Sequence, residues 1–99
     1  MPEISKLAEL RKMLLGLEQA LGLEDLSAVE RDVYYAANEV SDEHNGARTM
    51  GLLDHTLVAG MSRPTFFRAL KSLVQKGYLS PCDASGRGRY VVHAPATRD

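Results

Sequence analysis

Leucines at positions 7, 10, 14, 17 and 21 alternate spacings of three and four, the a/d pattern of a helix with one continuous apolar seam. Leu7, Leu10, Leu14, Leu17 and Leu21 therefore predict a helix over residues 3–21, with Ile4, Met13 and Leu15 widening its apolar side. Glu9, Arg11, Lys12 and Glu18 lie off the seam and keep the helix wettable. Two readings stand: the seam pairs with a second copy of the chain, or it packs on its own domain. Residues 22–26 read as a linker. Ser27 and Glu30 form a capping box that opens a helix running to about Val40, with Val29, Val33, Ala36, Ala37 and Val40 on its core side. A polar loop follows over residues 41–46. Residues 47–49 suit a short third strand before a helix over residues 50–58.

The stretch from Met61 to Leu79 carries the most information. Ser62 suits a helix N-cap, Pro64 the first turn, and Gly77 the left-handed residue that ends the helix before Tyr78 and Leu79. Phe66, Leu70, Leu73 and Val74 recur at core spacing, while Arg63, Phe67, Arg68 and Lys71 point the other way. Two strand-like runs, residues 78–82 and 89–93, then flank a glycine-containing turn with Gly86 and Gly88, which predicts a β-hairpin.

Charge sharpens this picture. Residues 1–61 hold five Lys/Arg (Lys6, Arg11, Lys12, Arg31, Arg48) against eleven Asp/Glu. Residues 62–93 hold six (Arg63, Arg68, Lys71, Lys76, Arg87, Arg89) against Asp83 alone. The formal net charge of −1 thus conceals a basic final third. Solvated surface explains a basic stretch as well as a binding face does, until the stretch coincides with a capped helix and a hairpin. Arginines beside glycine at a hairpin tip can reach a phosphate backbone or a narrow minor groove, which marks Arg87 and Arg89. A phosphate-loop reading of the Ser-Gly-Arg-Gly run at 85–88 lacks the Gly-Lys-Ser/Thr and the helix it requires.

Helix, turn, second helix and two-stranded wing together resemble the winged helix-turn-helix of MarR-type transcriptional regulators, over residues 26–93. The most specific part is Met61-Ser-Arg-Pro-Thr-Phe-Phe-Arg-Ala-Leu70, with Leu73 and Gly77-Tyr78-Leu79. That resemblance implies that Ser62, Arg63, Pro64, Thr65, Phe67 and Arg68 lie against DNA, joined by Lys71 on the same outward face. Two departures stand out. Leu53 is followed by Asp54, and Val58-Ala-Gly60 lengthens the turn between the helices. Only residues 94–99 follow the hairpin, so the long carboxy-terminal dimerisation helices of that family are expected to be replaced by the amino-terminal helix.

The expected fold is mainly α with a small β-hairpin wing, an α+β winged helix-turn-helix with an added N-terminal helix. Residues 1–22 form the dimerisation helix and residues 23–99 the DNA-binding domain. Ninety-nine residues with 44% hydrophobic content suffice for one modest core. No apolar run approaches the roughly 18 residues of a membrane span, and the amino terminus lacks the order of a signal peptide, so a cytoplasmic protein is expected. His44, His55 and His93 have no ligand spacing, and Asp54 and His55 diverge by about 100° on a helix with no nucleophile beside them. No enzyme, metal or cofactor is expected. The single Cys82 reads as a half-buried strand residue at the root of the wing rather than an oxidant-sensing thiol. The expected function is sequence-specific binding of double-stranded DNA by a homodimer that regulates transcription. The competing expectation is a winged helix that docks proteins and not DNA.

Overall fold

The computed structural model describes residues 1–42, 46–82 and 88–95. These form two units, one of Met1–Asp25 with Pro95 and one of Leu26–Ala94. In the first unit a helix, α1 (Pro2–Ala20), is followed by a short 3₁₀ turn at Leu23–Asp25. Residues 22–26, expected as a plain linker, are thus partly ordered: Leu23 and Leu26 are almost fully buried, which an open linker would not do with two leucines. The second unit runs α2 (Ala28–Val40), β1 (Ala47–Arg48), α3 (Thr49–Asp54), α4 (Arg63–Gln75), β2 (Leu79–Pro81) and β3 (Arg89–Val92). The described chain is therefore mainly helical with one small antiparallel sheet, an α+β arrangement.

Local chemistry sets most of the ends. At α2 the Ser27 side chain accepts from the Glu30 N–H (3.1 Å) and Glu30 Oε1 accepts from the Ser27 N–H (2.7 Å), the reciprocal capping box. At α4 Ser62 Oγ accepts from the Thr65 N–H at 3.3 Å, and Pro64 costs nothing in a first turn whose N–H groups have no helical partner. Gly77, at φ 87°, ends α4 in a Schellman turn. Its N–H donates to Val74 O (3.1 Å), and that of Tyr78 to Leu73 O (2.9 Å).

One end departs from expectation. The helix expected over residues 50–58 stops at Asp54, because His55 takes an extended conformation and makes its own bonds. His55 Nδ1 accepts from the Leu57 N–H at 3.1 Å, and Nε2 lies 2.6 Å from Glu39 Oε1 on α2. His55 is therefore a cap tied to α2 and not, as expected, a helical neighbour of Asp54. Turns from there to Gly60 lead into Ser62.

The sheet has the order β1-β3-β2, so β3, last in sequence, lies in the middle. Ala47 faces Tyr90 and Arg48 faces Arg89 on one side, while Leu79, Ser80 and Pro81 face Val92, Val91 and Tyr90 on the other. Leu79 and Ala47 turn inward. With Val33, Ala36 and Ala37 of α2, Leu52 of α3, and Phe66, Leu70 and Leu73 of α4 they form the core of this unit. Tyr34 spans it: its ring meets Tyr78 edge-on at 5.2 Å, its hydroxyl donates to His93 O at 2.5 Å, and burial raises its pKa.

Gly46 precedes β1 at φ 65°, and a Cβ there would stand 2.5 Å from Tyr90 O and 2.9 Å from Cys82 Sγ. Both the left-handed backbone and the clash oppose any side chain. Gly46→Ala is expected to cost about 2 kcal/mol or more. Urea unfolding checks this, and an unchanged midpoint would contradict the close approach.

Candidate nucleic-acid interface

α4 carries two different surfaces because its apolar residues recur every three or four positions. Phe66, Ala69, Leu70 and Leu73 are buried, largely against α2 and β2. At 3.6 residues per turn, Phe67, Lys71, Pro64 and Arg68 fall within about 100° of arc on the opposite side, with Arg63 just beyond Phe67. All five are exposed, and Ser62 stands at the helix entrance. Thr65 is half-buried, its hydroxyl accepting from Ser62 Oγ at 2.8 Å. The Phe67 ring leans edge-on against buried Phe66 at 4.9 Å, which anchors an exposed aromatic to the core. Arg68 donates from Nε to Pro64 O at 3.3 Å, so its guanidinium is oriented along the helix face.

Beside Arg68 an open cleft of about 370 Å³ runs between the start of α2 and α4, lined by Ser27, Glu30, Thr65, Ala69 and Ser72. Its floor is the Glu30 carboxylate. Oε2 accepts from Ser72 Oγ, and Oε1 accepts from Lys76 Nζ at 3.2 Å in addition to the Ser27 N–H. Burial alone would raise the Glu30 pKa, but the Ser27 backbone N–H, Ser72 and Lys76 outweigh it and hold the carboxyl at about 2. Lys76, counted at first with the basic stretch, is thereby committed to a bridge between α4 and α2 and does not belong to the exposed face.

This carboxylate ties acid stability to the site. Its folded pKa lies below the ordinary 4.5, so its stabilisation is complete above that value and is lost as pH falls towards about 2. Glu30→Gln retains the shape, but its amide places a donor where an acceptor stood. We expect a loss of about 2 kcal/mol near neutral pH, together with a flatter decline in acid. Equal pH dependence in parent and variant, followed by circular dichroism, would contradict the carboxylate's role.

In the hairpin, Arg89 is exposed on β3, whereas Arg87, Gly86 and Asp83 lie outside the described residues. Cys82 is exposed, not half-buried in a strand as expected: β2 ends at Pro81, and Cys82 follows it with its backbone N–H still bonded to β3, donating to Arg89 O at 3.1 Å. Leu7, Leu10, Leu14 and Leu17 on α1 and Leu21 just past its end are all exposed, Leu14 least at 39%, and the buried residue of that helix is Glu18. Among the described residues no helix is long and apolar enough to cross a membrane. Sequence reasoning passed over the Ser72–Glu30–Lys76 clasp and the Glu39–His55 pair. Their partners are too far apart in sequence for any spacing rule to join them. Compared with family models, with curated proteins and with solved structures, the chain matches none.

Proposed function

We propose that Leu26–Ala94 is a winged helix-turn-helix that binds double-stranded DNA and regulates transcription, with α4 in the major groove and the β2–β3 hairpin on the backbone or minor groove. The observation that carries this reading is the exposed face of α4, where Arg63, Arg68, Lys71 and Phe67 stand together without an acidic residue. A guanidinium can bond O6 and N7 of guanine in two places at once, and an anchored phenyl ring can meet a thymine methyl group. The order of elements supports it as well: two helices and a short strand precede α4, and an antiparallel hairpin follows it.

A dimer completes the proposal, because one helix reads only a few base pairs and two half-sites demand a dyad. The seam leucines of α1 supply the contact. At 100° per residue the five occupy about 80° of arc, a continuous exposed apolar strip such as two helices pair along. A protein-docking module without DNA affinity is the second reading. It is favoured by the exposure of Met50 and Leu57 together with Phe67.

Selecting bound sequences from random DNA tests the proposal. The expected result is an enriched pseudo-palindrome whose half-sites lie about one helical turn apart. A protein that enriches no sequence above background is not a sequence-specific regulator.

A further inference from the structure

Arg48 and Arg89 meet on the outer face of the sheet. Their strands pair them directly, and the ladder shows how closely. The Thr49 N–H donates to Gly88 O at 2.7 Å, which makes positions 49 and 88 the hydrogen-bonded pair. On β3's other edge the Cys82 N–H donates to Arg89 O at 3.1 Å. The alternation of an antiparallel ladder then leaves Arg48 and Arg89 as a non-hydrogen-bonded pair, the class in which facing Cα atoms are closest, about 4.5 Å. Both side chains are exposed, and neither has an ion-pair partner among the described residues. Like charges directly opposite destabilise a sheet. That cost persists unless something anionic occupies the space between them.

We infer that Arg48 and Arg89 form a clamp for one phosphodiester of a nucleic-acid backbone, with Arg48 as a contact contributed by β1. Two guanidinium forks on adjacent strands can hold the two free oxygens of one phosphate, each arginine presenting parallel N–H donors. The surface is an open sheet face, whereas small anions are usually held in concave sites, so a long polyanion fits it better than a free metabolite. Connectivity joins the clamp to α4: β1 runs directly into α3, which leads to the start of α4, and β3 pairs with β2, which follows its end. Naming nucleic acid as the ligand rests on the proposed DNA-binding function. The clamp as an anion site rests on the strand register alone.

The test uses the full chain, Arg48→Ala, and Lys12→Ala as a control that removes one positive charge from α1, where Lys12 pairs with Glu9. Binding to a random-sequence duplex is followed by anisotropy as salt rises. Arg48→Ala is expected to lower the slope of log K against log salt by about one, with Lys12→Ala unchanged. In low salt without DNA, Arg48→Ala is expected to melt above the parent, since the facing charge is gone. If the parent binds duplex and Arg48→Ala keeps its slope, the clamp is wrong and the DNA-binding reading stands. If the parent binds no duplex, inorganic phosphate is titrated while the arginine Nε–H resonances are observed by NMR. Shifts confined to Arg48 and Arg89 would keep an anion clamp but overturn nucleic acid as its ligand, and no shifts would overturn the clamp itself.

Discussion

Replacing Arg63 and Arg68 together by alanine is expected to abolish sequence-specific DNA binding while leaving the fold intact. Both side chains are exposed at the start of α4, where a helix entering the major groove meets base edges. Each bidentate contact to a base discriminates by about 1–3 kcal/mol, so the pair accounts for a loss between roughly 30-fold and ten-thousand-fold. Neither side chain takes part in the core, and the Glu30 clasp across α2 and α4 uses Ser72 and Lys76 instead. Circular dichroism should therefore match the parent. A folded double variant that binds a selected site as tightly as the parent would remove α4 from the interface.

The second large effect is expected at Leu14→Asp. Leu14 is the central leucine of the α1 seam and its least exposed member. In a paired interface the substitution would bury an unpartnered carboxylate, a penalty of at least about 3 kcal/mol, which lowers dimer affinity by two orders of magnitude or more. On an unpaired helix the same change would meet water and cost little. Sedimentation equilibrium at micromolar concentration separates the two cases: the parent is expected as a dimer and Leu14→Asp as a monomer. The monomer should keep weak, salt-sensitive DNA affinity and lose cooperative binding to two half-sites. A parent that is already monomeric, or a variant still dimeric, would take the seam out of the interface.

What could be read from sequence was whatever short-range chemistry decides. The Ser27–Glu30 box, the Ser62 cap and the left-handed Gly77 act within four residues of the ends they set, so α2 and α4 lie where their residues predict. The two faces of α4 follow from the same periodicity. The early end of α3 was not legible, because Glu39, sixteen positions upstream, holds His55 in its cap. Lys76 looked like one more basic residue until α2 brought Glu30 to it from 46 positions away. Arg48 shows the limit most clearly. Alone it is a charge at a strand end, and its meaning depends on facing Arg89, a register that pairs residues 41 positions apart. Cys82 reads as a strand residue from the run around it, but it stands one residue past the end of β2 with its side chain exposed.

Salt dependence of binding to duplex DNA tests the central claim most directly. A basic face that neutralises several phosphates releases their counterions, so affinity for a random duplex is expected to be measurable near 50 mM salt. It should fall steeply towards 200 mM, with a slope of several on a log–log plot. A protein that shows no duplex affinity at the lower salt, while folded and at micromolar concentration, would contradict DNA binding and leave the α4 face to a protein partner.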